Sequence, residues 1–339
     1  MNVLISSAGR RVGLLECFRS ALGALDANGK IIAAAASDTA PALHFADETC
    51  TVPRCDNPQF IPALVEACAA HHVDAIVPTI DTELAVLAAH RDELQSTGAA
   101  LWLSSCETIE ISADKRETNR WLHNNGFPAV SQFTPFEALE QVSALPFPLI
   151  AKPARGSASV GVKRIHNRAE LEACLNRDLV IETLAPGVEY TVHVWAGAKG
   201  RALCAVPCRR LEVRAGEVSK GRTEKHDGLM QLASEVVDAL PGCRGPLNVQ
   251  IFLDPTAGMR VIEINPRFGG GYPLADRAGA RFTKWMIDPS ASPIHYYDGW
   301  VDGLTMLRYD SAVYTLPDAP SNPDTKAVHA SSDLLRTRS

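Results

Sequence analysis

Through the first hundred residues, short apolar runs alternate with segments whose apolar positions recur every three or four residues. Val3-Leu4-Ile5 is an apolar strand, and after Ala8-Gly9-Arg10 come Val12, Leu15, Phe18 and Leu22 at the spacing of one helix face. The same alternation predicts strands at Ile31–Ala36, Thr49–Val52, Asp74–Val77 and Ala99–Leu103, and helices at Phe60–His71 and Glu83–His90. Strands alternating with helices of this length read as a parallel, doubly wound α/β sheet. The turn Ala8-Gly9-Arg10-Arg11-Val12-Gly13 lacks the two close glycines of a dinucleotide fingerprint, so it is expected to be a plain strand-to-helix turn. Asp81-Thr82-Glu83 lies just past the end of a strand, where ligands of open α/β sheets collect, but it equally suits a helix N-cap with a first-turn carboxylate.

From Ser112 the pattern changes. A helix is predicted from Asp114 to Asn125, stopped by Gly126 and Pro128, then an extended segment Ala129–Thr134 and a helix from Glu137. The apolar strand Leu149-Ile150-Ala151 runs into Lys152-Pro153, and Arg155–Val162 is a Gly/Ser turn. Strands follow at Val180–Glu182, Glu189–Ala196 and Ala202–Cys208, then a helix at Met230–Leu240 and a hairpin at Leu247–Ile264. No repeat is present, and the Pro/Ser/Asp-rich stretch from Pro317 is expected to fray.

Composition narrows the class. The chain has 339 residues, enough for two or three compact units, and its net charge of -6 argues against a nucleic-acid partner, which would need a basic face. No apolar run approaches the roughly 20 residues of a membrane span, and MNVLISSAGRR is no signal peptide, so no membrane is expected and the protein reads as soluble and cytoplasmic. Nine scattered cysteines without a CxxC pair give no zinc or redox motif; Cys204 and Cys208, four apart on a strand, are expected to pack as buried thiols.

The hairpin is the most informative segment. Pairing Asn248–Leu253 with Met259–Asn265 sets Gln250 opposite Glu263, with Asn265 two positions along on the same face. One carboxylate and two amide oxygens are hard ligands that suit Mg²⁺ carrying nucleotide phosphates. Arg267 and the flexible Gly269-Gly270-Gly271 follow at once, and an arginine there suits an anionic substrate or a transferred phosphoryl group. Upstream, Lys152 ends a strand beside the Gly/Ser turn, a way of holding polyphosphate without a Walker A sequence, which is absent. Glu182 and Glu189 flank a Pro-Gly bend, and each alone would read as a solvent-facing carboxylate.

In order and spacing these pieces resemble the ATP-grasp superfamily, and within it the carbamoyl-phosphate-synthase-like carboxylate–amine ligases. The Asn-Val-Gln strand and the Glu-Ile-Asn-Pro-Arg run carry the resemblance most specifically, and it extends to about Tyr309. The resemblance implies an α/β fold with α+β lobes: a doubly wound pre-ATP-grasp domain over 1–108, a two-lobed ATP-grasp fold with its lid over 109–185 and its C-terminal lobe over 186–316, and a flexible tail over 317–339. It implies nucleotide contacts from Lys115, Lys152, a lid turn Gly156, Ser157, Ser159 and Gly161, a hinge at Glu182 and Leu184 that reads adenine, and Glu189 on the ribose. Gln250, Glu263 and Asn265 would hold one or two Mg²⁺, and Arg267, with Glu263 and Asn265, would serve phosphoryl transfer. The implied reaction joins a small-molecule carboxylate to an amine or amino acid at the expense of ATP. The alternatives are a nucleotide-binding protein without ligase activity and an ATP-dependent carboxylase.

Two departures stand out. Many family ligases carry an acidic residue where Gln250 stands, and the synthase branch commonly has arginine where Lys115 and Lys152 stand. Substrate pockets vary within the family; here Asp81, Glu83, Gly270 and a flexible basic loop with Lys220 and Arg222 are the expected contributors. The sequence leaves oligomeric state open and is compatible with a homodimer.

Overall fold

The computed structural model describes residues 1–25, 28–156, 160–175 and 177–315. Ser157 and Ser159 of the expected lid turn, and the tail from Pro317, lie outside the described residues. The N-terminal unit contains β1 (Val3–Ile5), α1 (Val12–Ala24), β2 (Ile31–Ala35), β3 (Glu48–Thr51), α2 (Phe60–Ala70), β4 (Ala75–Val77), α3 (Asp81–Ala89), α4 (Arg91–Gln95) and β5 (Ala100–Leu101). Its sheet runs β3-β2-β1-β4-β5 and is parallel throughout, as the alternation predicts. Every residue of β1, β2 and β4 is buried, because helices cover both faces. The winding reverses between β1 and β4, so the crevice past their C-terminal ends is the switch point where this architecture binds ligands. That crevice holds Ser6, Ser7 and the Thr79–Asp81 segment.

Two helices, α5 (Cys106–Ala113) and α6 (Lys115–Asn124), lead into a small four-stranded sheet. It comprises β6 (Gln132–Phe133), α7 (Pro135–Glu140), β7 (Leu149–Pro153), β8 (Lys163–Ile165), α8 (Arg168–Glu172) and β9 (Leu179–Thr183), in strand order β6-β9-β7-β8. Its core is correspondingly small: Ala138, Leu149, Ala151, Ile165, Leu171, Cys174 and Ile181.

The remaining elements are β10 (Val188–Ala196), β11 (Ala202–Arg214), β12 (Glu217–Thr223), α9 (Asp227–Ala239), β13 (Gly245–Asp254), β14 (Gly258–Asn265), α10 (Tyr272–Arg277), α11 (Phe282–Ile287) and β15 (Thr305–Leu307). They form a six-stranded antiparallel sheet in the order β14-β13-β10-β11-β12-β15. One apolar cluster runs from α1 of the first unit into this sheet and its helices, with Phe18 edge-on to Phe268 at 5.9 Å. The first unit is therefore fused to the large lobe by packing. Cys204 and Cys208 are buried free thiols on β11, as expected. Among the described residues no helix is long and apolar enough to cross a membrane.

The basic segment expected to be a flexible loop is a strand. In β12, Val218, Ser219, Gly221 and Thr223 are buried while Lys220 and Arg222 face solvent. The alternation was hidden because glycine, serine and threonine occupy most of the inward positions. Lys220 pairs with Glu212 on the neighbouring strand at 2.6 Å.

His193 on β10 is 1 % exposed and its Nε2 has no partner among the described residues; burial pushes its pKa from 6.5 down to about 3. The unfolded chain takes up a proton near pH 6.5 that the folded chain refuses until pH 3, so folding stability falls as pH drops through that window. The slope from this group is about 1.4 kcal/mol per pH unit. Urea unfolding at pH 4.5, 5.5 and 6.5 should give a slope shallower by about that amount in His193→Gln, and equal slopes would refute the assignment.

Candidate active site

A cavity of about 510 Å³ opens between the four-stranded and six-stranded sheets. Among the sequence-expected residues, Lys115, Lys152, Gly156, Glu182, Leu184, Glu189, Gln250 and Glu263 all line it. Ile150, Val130, Val162, Phe252 and Ile262 give it apolar walls suited to a flat heterocycle.

Each charged group is set by its element. Asp114 caps α6, accepting from the Arg116 amide at 2.9 Å, and also binds the Arg116 and Arg155 side chains. Burial opposes its ionisation, but these bonds prevail and hold its pKa at about 2. The cap fixes the next residue: the Lys115 amide donates to Ala154 O at 2.9 Å and its Nζ to Gly156 O at 2.8 Å. Burial lowers the pKa of Lys115, with Lys152 adding repulsion.

On β7, Lys152 lies diagonally across from Glu182 of β9, and Nζ meets Oε2 at 2.7 Å with both side chains almost fully buried. Gln132 Nε2 donates to the other Glu182 oxygen at 2.8 Å. With both carboxylate oxygens engaged, what the Glu182–Leu184 segment can offer an adenine edge is backbone. Gln132 was not anticipated; only its place opposite Glu182, through the β6–β9 pairing, reveals it.

Glu189 faces Arg210, with Oε1 and Nη1 3.3 Å apart. Arg210 is deeply buried, donates to Gly216 O at 3.2 Å, and leaves Nε unpartnered. Burial raises the pKa of Glu189 against the pull of Arg210. The sequence signal for this cation is Arg209-Arg210 directly after the apolar run Ala202–Cys208.

Gln250 and Glu263 are cross-strand partners on β13 and β14. The register shifts between Gln250 and Ile251, leaving Ile262 as an extra residue, so a bulge turns Glu263 toward the cavity. Burial raises the Glu263 pKa, countered by Lys115, Lys152 and Arg267 and reinforced by Asp81. Among the described residues no side chain hydrogen-bonds the Gln250 or Glu263 head groups, so their oxygens are free for a ligand. Asn265 is more committed: it donates to Asn248 Oδ1 at 3.3 Å and accepts from Arg267 Nη2 at 3.3 Å. No cluster of three His, Cys, Asp or Glu that could hold a metal occurs among the described residues. The donor set nonetheless fits Mg²⁺, which needs few protein oxygens when phosphates supply the rest.

Arg267 stands just past β14, and its Nε and Nη2 grip both oxygens of Asp81 at the N-terminus of α3, with Nε–Oδ1 at 2.7 Å. Asp81 thus joins the site, but Glu83 does not. Its carboxylate is buried and takes Ser6 Oγ at 2.6 Å, Ser7 Oγ at 2.7 Å, and the amides of Thr79 and Ile80 at 2.7 and 3.1 Å. Four donors fill it, so it serves as the cap of α3 and a staple of the β1 and β4 ends. Lys220 and Arg222 do not line the cavity: both lie on the exposed face of β12. Gly270 packs beside Arg11 and Glu217, next to Arg267 in the chain.

Residues 3–102 match the PylC-like N-terminal domain, and residues 112–271 match the ATP-grasp domain. Over 296 residues the chain is 27% identical to the carbamoyl phosphate synthase large chain, N-terminal section, of Methanopyrus kandleri, covering 77% of this chain and 51% of that relative. The chain thus spans about half the length of that curated relative. Its fold is similar to the biotin carboxylase domain dimer of Hydrogenobacter thermophilus 2-oxoglutarate carboxylase, solved with MgADP, ADP and bicarbonate (TM-score 0.69, 18% identity, 90% of this chain and 73% of that chain). It is similar also to the L-amino acid ligase of Bacillus licheniformis (TM-score 0.65, 18% identity, 90% and 78% covered). The chain thus carries an ATP-grasp domain behind a PylC-like N-terminal domain, and across both it is similar to the carbamoyl phosphate synthase large chain.

Proposed function

We propose that the protein is an ATP-dependent carboxylate–amine ligase that makes an amide through an acyl phosphate and releases ADP and phosphate. The observation that carries this reading is the pair Gln250 and Glu263, whose head groups have no side-chain partner among the described residues and face the lysines of the cavity, with Arg267 just past the strand of Glu263. Binding a nucleotide needs only the lysines and the apolar walls; the oxygens and the arginine suit the transfer of its terminal phosphoryl group.

In this reading Lys115 and Lys152 neutralise the phosphates, and Ile150, Val130 and Phe252 sandwich the base. The Glu182–Leu184 backbone reads the adenine edge and Glu189, steadied by Arg210, takes the ribose hydroxyls. Gln250, Glu263 and Asn265 would hold Mg²⁺, which would supply charge neutralisation to the triphosphate. The substrate carboxylate oxygen attacks that phosphorus and ADP leaves; an amine then attacks the acyl carbon and expels inorganic phosphate, giving up its proton. Phosphoryl transfer of this kind requires position and charge neutralisation more than a covalent protein group, and no serine or cysteine lines the cavity among the described residues.

The test is ADP and AMP release from MgATP against pooled carboxylates and amino acids. ADP that appears only with a carboxylate–amine pair supports the ligase. AMP would overturn the acyl-phosphate route, and bound ATP with no turnover in any pool would favour a binding protein. Bicarbonate-dependent ADP release would favour a carboxylase. Lys152→Ala should weaken ATP binding about tenfold, the scale of one charged hydrogen bond, and lower stability by leaving Glu182 buried without its cation. An unchanged dissociation constant by calorimetry would remove Lys152 from the nucleotide site.

A further inference from the structure

The arginines around Gly270 outnumber the carboxylates that face them. Arg10 and Arg11 leave the turn after β1 and Arg308 follows β15, so three distant parts of the chain meet at Glu217, the first residue of β12. Its carboxylate lies 3.0 Å from Arg11 Nη1, 3.2 Å from Arg308 Nη1 and 3.7 Å from Arg10 Nη2. Asp81, the other carboxylate at hand, is occupied by Nε and Nη2 of Arg267. Among the described residues one negative charge therefore serves three guanidiniums, and two positive charges have no counter-ion there.

Arg11 is the most enclosed of the three, its side chain 16% exposed. Beyond Glu217 its only hydrogen-bond partner among the described residues is the Thr79 carbonyl, at 3.3 Å. Burial lowers its pKa, Glu217 and, more weakly, Asp81 oppose this, and Arg267 and Arg308 add repulsion. Withdrawing like charges from water is unfavourable unless an anion joins them. The backbone is shaped to the cluster as well. A Cβ on Gly270 would lie 2.7 Å from Arg11 Nη1 and 2.9 Å from Glu217 Cδ, and Arg308 donates to the Gly270 carbonyl. Because Gly270 is three residues past Arg267, the surplus charge borders the place where phosphoryl transfer is assigned.

Resting on the ligase reading, we propose that the carboxylate substrate carries a second oxyanion, a carboxylate or a phosphate, which docks on Arg10, Arg11 and Arg308 while its reacting carboxylate faces Arg267. Glu217 keeps the guanidiniums aligned in the free protein and yields them to the incoming anion.

The test is calorimetric titration of the full-length protein, loaded with Mg²⁺ and a non-hydrolysable ATP analogue. The probes are butyrate, glutarate and 3-phosphonopropionate. Glutarate or 3-phosphonopropionate should bind at least tenfold more tightly than butyrate, and whichever is tighter identifies the second group. Arg308→Ala should erase that advantage. Glu217→Gln should increase it, because the competing carboxylate is neutralised; a purely structural Glu217 would instead weaken binding or leave it unchanged. Equal affinities for the three probes, absence of binding by all three, or a preference that survives Arg308→Ala would overturn the proposal. None of these results touches the ligase reading, which stands or falls on ADP release from the wild-type protein.

Discussion

Glu263→Gln is expected to abolish ADP formation while the nucleotide-free protein keeps its melting temperature within a few degrees. The two halves follow from different facts. The fold does not need the charge: Lys152 is paired with Glu182, Lys115 with the Gly156 carbonyl, and Arg267 with Asp81. Glu263 is thus the surplus carboxylate of the cavity, and burial already raises its pKa. An amide of the same shape removes that penalty and keeps the cross-strand pairing with Gln250. Chemistry does need the charge, because it is the only carboxylate in the set assigned to Mg²⁺. Loss of one preorganised electrostatic group costs on the order of 10²–10³ in rate, and loss of the sole anionic ligand should reach or exceed that. Steady-state ADP release beside a thermal melt measures both quantities. Full turnover in a variant with an unchanged melt would eliminate the metal assignment.

Much of this arrangement is legible in the sequence, and the illegible parts share a cause. The parallel sheet was readable because every strand residue of β1, β2 and β4 is apolar. The β13–β14 hairpin and its Gln250–Glu263 pairing are readable because Gln250, Glu263 and Asn265 interrupt apolar strands. β12 was missed because its inward positions are Val, Ser, Gly and Thr, so the exposed Lys220 and Arg222 dominate the pattern. Asp81 and Glu83 could not be separated by spacing alone, since both lie in the first turn of α3. What separates them is what each meets: two hydroxyls and two amides for Glu83, and a guanidinium from 186 residues away for Asp81. Arg308 and Glu217 belong to the same class, brought together by the β12–β15 pairing at the sheet edge.

Arg267→Ala should lower kcat about 10²–10³-fold and leave nucleotide affinity nearly unchanged, since Arg267 does not line the nucleotide cavity. Burial would discourage its charge, but Asp81 more than compensates and keeps it fully cationic. Of its five N–H donors, Nε goes to Asp81, the two on Nη2 to Asp81 and Asn265, and one on Nη1 to the Phe268 carbonyl. One N–H on Nη1 is left for a transferred phosphoryl oxygen, and the rest fix the plane in which it points. Arg267→Lys should therefore fail to rescue, because an ammonium cannot reproduce the two-pronged grip on Asp81. Asp81→Asn keeps the outline but loosens that grip, so it should cost about tenfold in kcat, and in the double variant with Arg267→Ala it should add nothing further. The competing explanation is an inter-lobe clamp, since Asp81 belongs to the first α/β unit and Arg267 to the large sheet. A clamp predicts a lower melting temperature with kcat intact in both single variants, and that result would take Arg267 out of the chemistry.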